Sequence, residues 1–279
     1  MLAVGARVPI AAIDLFQRMN IIDTHAHLDA EEFAHDLEAV MERAARAGVG
    51  RIVCVGTSLE SSRRCMELAR RFPGRMLATA GIHPNCCAEA NDGDFEQVAA
   101  LAALPEVAAV GETGLDFHRD YAPAEMQVDC FLRHLRLARS VGKPLVIHAR
   151  RADEDVLAIL AREGAGVRGV RHCYDGTPGT AERYVELGMH VAFGGAATRS
   201  RHKKLKAAAA SIPAERLLVE TDCPYMRPAG APEGPNEPAN VRLVVGTLAE
   251  LRGAGAEEIA RITTRNAEEL LLGGPSTLS

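Results

Sequence analysis

The chain has 279 residues, of which 47 % are hydrophobic and 4 % aromatic, and it contains no Trp. That length and apolar content suit one large α/β unit with an aliphatic core. The net charge of −5 with His neutral excludes a general basic nucleic-acid coat protein, so any contact with nucleic acid must be local.

The first eighteen residues lack a basic start and contain Pro9, Asp14 and Arg18. They read against a secretory signal, with Met19 as an alternative start. Residues 1–19 are therefore predicted as an N-terminal extension, 20–273 as a single barrel domain and 274–279 as a tail. From residue 20 onward, short apolar runs alternate with helical patterns. The predicted strands are Ile21–His25, Arg51–Gly56, Met76–Gly81, Val107–Glu112, Pro144–His148, Val167–His172, His190–Gly194 and Leu217–Asp222. Continuous apolar runs suit parallel strands buried on both faces. Between them, Glu31–Ala47, Ser61–Arg71, Glu125–Val141 and Asp153–Arg162 carry apolar residues at three- and four-residue spacing. Gly48, Gly142 and Gly188 stand where helices should stop. The helices Val241–Leu251 and Ala256–Leu272 complete the pattern. Eight strand-then-helix units predict a (β/α)8 TIM barrel, with an open doubly wound sheet as the alternative.

Some features argue for little. Gly164, Gly166 and Gly169 match a dinucleotide fingerprint, but they end a helix and enter a strand, the reverse of what that motif requires. The seven cysteines include no C-x-x-C pair. Cys54, Cys65, Cys130, Cys173 and Cys223 lie in or beside apolar segments and read as small buried hydrophobes of a reducing, cytoplasmic compartment. No stretch has the length and apolarity of a membrane span. The Pro-rich stretch Pro224–Pro238 reads as a loop on the catalytic face. The densest basic run, Arg199, Arg201, His202, Lys203, Lys204 and Lys206, reads as a solvated helix face, or alternatively as a track for a nucleic-acid backbone.

The chemistry lies in where polar residues fall. The first strand runs into Asp23-Thr24-His25-Ala26-His27, and alternation places His25 and His27 on one face. The fourth predicted strand ends at Glu112, the fifth at His148, the sixth at His172 and the eighth at Asp222. In a barrel these ends share the C-terminal rim, where active sites sit. Singly, each has an ordinary structural explanation, such as a capped helix or a hydrogen-bonded scaffold histidine. Jointly, six ionisable groups on apolar strands require a counter-charge. One or two divalent ions of Zn, Mn, Ni or Fe character meet that need, with Mg less suited to so many imidazoles.

The motifs resemble those of the TatD family of metal-dependent deoxyribonucleases, amidohydrolase-like TIM-barrel enzymes. The resemblance rests on Ile22-Asp23-Thr24-His25-Ala26-His27-Leu28-Asp29, Gly81-Ile82-His83-Pro84 and Gly111-Glu112-Thr113-Gly114-Leu115-Asp116. It extends through Ile147-His148-Ala149-Arg150, His172-Cys173-Tyr174, Glu220-Thr221-Asp222-Cys223-Pro224-Tyr225 and Asn236-Glu237-Pro238. It implies two divalent metal ions: His25 and His27 on one, His148 and His172 on the other, Glu112 bridging and Asp222 completing the first site. It further implies His83 facing substrate. The chain departs from the pattern at Ala149, at Asp175-Gly176 and at Pro232-Glu233-Gly234-Pro235, where the family often carries Ser, Ser-Gly and a basic residue.

The expected reaction is phosphodiester hydrolysis by a metal-activated water, with Asp222 as proton acceptor, Glu112 as bridge and His83 on the phosphate or leaving group. Arg150 either contacts a phosphate oxygen or pairs with Asp153 or Glu154 at a helix start. The expected partner is DNA, single-stranded or end-bound, with no membrane and no obligate protein partner. Alternatives are an amidohydrolase or esterase acting on a small molecule, and a non-catalytic metal-binding protein. Related barrels often use a modified Lys on the fourth strand, where this chain has Glu112.

Overall fold

Every strand pairs in parallel with its neighbour in sequence, in the order β1 to β8, in a computed structural model that describes residues 19–273. The strands are β1 Ile21–Ala26, β2 Val49–Cys54, β3 Met76–Ala80, β4 Val107–Asp116, β5 Leu145–Arg150, β6 Gly169–Arg171, β7 Met189–Phe193 and β8 Leu217–Val219. Nine α-helices lie among the described residues: α1 Leu37–Arg46, α2 Leu59–Arg71, α3 Asp92–Ala102, α4 Ala124–Val141, α5 Asp153–Glu163, α6 Pro178–Glu186, α7 Lys203–Ser211, α8 Val241–Arg252 and α9 Ala256–Leu271. The expected N-terminal extension up to residue 18, and the tail 274–279, lie outside the described residues.

The sheet closes between β1 and the segment that follows β8. Thr24 Oγ1 donates to Val219 O at 2.9 Å, Asp222 N to His25 O at 2.8 Å and His27 N to Cys223 O at 2.7 Å. The open doubly wound alternative is thereby excluded. Small side chains fill the barrel: Ile22, Val53, Ala109, Val146, Val170, Ala192 and Leu218 cluster with Leu77, one residue from each strand. Val55 and Ala108, with Ala267, Leu270 and Leu271 of α9, complete that cluster. The larger cluster, including Phe131, Tyr184 and Phe193, packs the helices onto the outside of the strands.

Several boundaries differ from expectation, and the differences serve the rim. β4 continues four residues beyond Glu112, because Thr113 to Asp116 stay paired with Ile147 to Arg150 of β5. β6 and β8 are shorter than expected, each three residues. Their tips leave the ladder through left-handed residues, Cys173 at φ 45° and Asp222 at φ 55°, and the chain turns there. The expected helix Glu31–Ala47 divides into a 3-10 turn, Glu31–Phe33, and α1.

Candidate metal centre

The glycines around Glu112 explain how a carboxylate reaches the barrel mouth on such a closely paired strand. Gly111 (φ 133°) and Gly114 (φ 137°) hold conformations that other residues rarely adopt. A Cβ on Gly114 would stand 2.0 Å from His148 O, and one on Gly111 2.6 Å from Val146 O. Only glycine lets β4 approach β5 this closely, and Glu112 is carried between the two.

Around Glu112 the polar side chains form two groups, one on each carboxylate oxygen. On the first side, His25 Nε2 and His27 Nε2 lie 3.2 Å apart. They are 3.4 and 3.8 Å from Glu112 Oε2, and 3.8 and 3.5 Å from Asp222 Oδ1. On the second side, Glu112 Oε1 is 2.8 Å from both His148 Nδ1 and His172 Nε2, and 3.4 Å from His83 Nε2. His148 Nδ1 and His172 Nε2 are 3.2 Å apart. The rings of His25 and His172 stack at 3.9 Å, joining the two groups. His25, His27, His83, Glu112, His148, His172 and Asp222, carried by six strands and the turns after them, thus stand together. All but His25 line one cleft of about 690 Å³, which Arg150 also lines.

The spacing of the first group fits a cation. Nitrogen and oxygen ligands bind Zn at about 2.0–2.2 Å in a tetrahedron, whose corners are then roughly 3.4 Å apart. The first group's nitrogen–nitrogen and nitrogen–oxygen separations, 3.2 to 3.8 Å, bracket that edge and are mostly long for hydrogen bonds. The electrostatics agree. Burial would raise Glu112, but the imidazoles of His172, His83 and His25 hold it well below the usual carboxylate range. Burial disfavours a charged His27, yet the Asp222 hydrogen bond and Glu112 push it up to about 9. His172 is pushed up to about 10 against its burial, chiefly by Glu112. Buried Glu112 and half-buried Asp222 draw positive charge into the cage, and divalent metal meets the same demand.

Sequence reasoning missed the residues that orient these groups. Asp116 Oδ2 lies 3.3 Å from His148 Nε2. Asp116 Oδ1 accepts from the His118 and Arg119 amides, at 2.8 and 3.1 Å. Glu220 Oε1 lies 3.6 Å from His172 Nδ1 and accepts from Cys173 N at 2.5 Å. Asp23 accepts from Thr221 N at 2.9 Å and Thr221 Oγ1 at 2.5 Å, clasping β1 to the strand tip that carries Asp222. Asn236 Nδ2 donates to Thr221 O at 2.9 Å and Tyr225 O at 2.8 Å, fixing the Pro-rich loop behind Asp222.

Of the two roles expected for Arg150, the helix-start salt bridge with Asp153 or Glu154 is not made. Asp153 is taken by Arg171 at 3.0 Å and by Tyr184 Oη at 2.8 Å, and Glu154 by Arg183 at 2.7 Å. Among the described residues Arg150 pairs with no carboxylate, and it lines the cleft. No residue of the basic run from Arg199 to Lys206 lines that cleft; Lys203 and Lys204 are exposed on α7.

A closed α/β barrel with a histidine–carboxylate cage at its mouth is the architecture of a metal-dependent hydrolase. The family model described as "TatD related DNase" matches residues 22–272, and the chain belongs to that family. It is 40 % identical to the uncharacterized metal-dependent hydrolase YabD of Bacillus subtilis, covering 90 % of this chain and 98 % of that one. It is 34 % identical to the 3'-5' ssDNA/RNA exonuclease TatD of Citrobacter rodentium, covering 90 % and 97 %. The crystal structure of the TatD homologue YjjV from Escherichia coli superimposes with a TM-score of 0.86 at 34 % identity, covering 91 % and 98 %.

Proposed function

We propose that this chain is an ester-bond hydrolase acting on nucleic acid, with single-stranded DNA as its preferred substrate. The observation that carries the proposal is the division of Glu112, one oxygen toward His25 and His27 and the other toward His148 and His172. Two divalent ions fit such a carboxylate, with Asp222 completing the first set; Zn, Mn, Mg, Ni or Fe are the candidates. Bound there, divalent metal supplies a water of lowered pKa and neutralises charge on the reacting phosphate.

The chain's own residues do the rest. Asp222 is held ionised against its burial by the His27 hydrogen bond and the charges of His25 and His172. It accepts the proton of the attacking water. Burial keeps the His83 imidazole largely neutral, and its ring hydrogen-bonds the phosphate or leaving oxygen. Arg150, uncommitted to any carboxylate, offers its planar fork to a second phosphate oxygen. Support for nucleic acid comes from the exonuclease relatives, whose names specify single-stranded DNA and RNA. The described residues contain no helix long and apolar enough to cross a membrane. The free cysteines suit the reducing conditions of the cytoplasm.

The test is a metal-reconstituted screen over single-stranded DNA, double-stranded DNA, RNA and small phosphodiesters. Cleavage of single strands above the others is expected. Hydrolysis confined to small amides or carboxylic esters would replace the proposal with the amidohydrolase reading.

A further inference from the structure

The four tyrosines of this chain divide sharply. Tyr174 and Tyr184 are buried at 1 % and 0 % exposure, while Tyr121 and Tyr225 are 59 % and 57 % exposed. Both exposed rings line the cleft of the metal centre. The chain holds no Trp, so these are the largest aromatic faces it offers to solvent at that mouth.

Topology sets them on opposite walls. Tyr121 follows β4 and Tyr225 follows β8, and strands four apart in a closed ring of eight face each other across the mouth. The cage lies between them. Tyr225 stands on a fixed backbone: its N donates to Asp222 O at 2.9 Å, and its O accepts from Asn236 Nδ2 at 2.8 Å. Its ring meets His27 edge-on at 5.9 Å. Tyr121 has the Arg119 guanidinium 5.8 Å from its ring centroid and donating to its Oη at 3.4 Å.

We propose that Tyr225 and Tyr121 are a pair of stacking platforms for the two nucleobases that flank the scissile phosphate. This rests on the nucleic-acid reading above. A phosphodiester has one nucleoside on each side, and the cleft has one exposed aromatic ring on each side of its cage. Every base has a π-face, so the platforms tolerate any sequence, but they take only bases that are out of a duplex. The pair therefore specifies unpaired strands, and a dinucleotide is the smallest ligand that engages both rings.

The experiment compares kcat/KM of the metal-loaded full chain on a single-stranded oligonucleotide and on the same strand with abasic residues flanking the cleaved bond. Stacking of one base is worth roughly 5- to 150-fold in affinity. Tyr225→Ala and Tyr121→Ala are each expected to lose about that factor on the normal strand, mainly in KM. The loss should shrink towards onefold on the abasic strand, because there is no base left to stack. Tyr225→Phe and Tyr121→Phe keep the ring and should recover most of the loss. Equal losses on both strands, or no loss on the normal strand, would overturn the stacking roles while leaving the nuclease reading intact. A wild-type enzyme that cleaves neither strand but hydrolyses small esters overturns both.

Discussion

Asp116 Oδ2 stands 3.3 Å from His148 Nε2, while the other ring nitrogen of His148 faces Glu112 at 2.8 Å. The carboxylate itself is anchored by the His118 and Arg119 amides, and Gln127 Oε1 accepts from the Asp116 amide. Asp116 thus fixes which nitrogen of His148 is turned into the cage. Asp116→Asn should weaken metal affinity by about 10–100-fold, the usual cost of losing such a partner. Metal titration followed by activity checks this, and activity should largely return at saturating metal. An unchanged metal affinity would leave Asp116 as a loop anchor only.

Glu112 and Asp222 should fail differently. Chelation should abolish hydrolysis, and added Mn or Mg should restore part of it. Glu112→Ala removes both oxygens around which the histidines gather, so metal content at both sets should fall. Asp222→Asn keeps the volume and an oxygen but loses charge and basicity. At full metal content, measured by elemental analysis, its kcat should drop about 10²–10⁴-fold with a smaller change in KM. Wild-type turnover by the fully loaded variant would remove Asp222 as proton acceptor.

Much of this centre was legible because apolar strands rarely end in ionisable groups without cause. His25, Glu112, His148, His172 and Asp222 each close an apolar run, and the barrel brings such ends to one rim. Asp116 was hidden because β4 was expected to stop at Glu112, whereas pairing with β5 carries it onward. Glu220 had a signal, since alternation places it on the same face as Asp222. The role of Arg150 was not decidable from neighbours in sequence. Its competitors Arg171 and Arg183 come from β6 and α6, and only the folded chain delivers them to Asp153 and Glu154.

Asn236 is fully buried, and its side chain satisfies Thr221 O, Tyr225 O, Glu237 N and the Asn240 amide. Asn236→Ala strands these groups without water. The expected cost is about 2–4 kcal/mol of stability, read by denaturant unfolding. Because the loop carries Tyr225 and backs Asp222, metal affinity should also fall. A variant as stable as wild type would mean that water replaces the amide.

His190, the second residue of β7, lies at the end of the barrel away from the cage and is 8 % exposed. Burial, and next the charge of Arg216, lower its pKa from 6.5 to about 4. The folded state therefore disfavours the proton that the unfolded chain accepts. Above pH 6.5 the group contributes no pH dependence. As pH falls from 6.5 to about 4, protons bind the unfolded state first and stability is lost. A shift of that size is worth about 3 kcal/mol when complete. Whatever pH dependence the other groups add is shared by a His190→Phe variant. The difference in unfolding free energy between the two proteins should therefore grow in the variant's favour by about 3 kcal/mol between pH 7.5 and 4. Parallel curves over that interval would show that His190 takes its proton in the folded barrel as readily as in the unfolded chain.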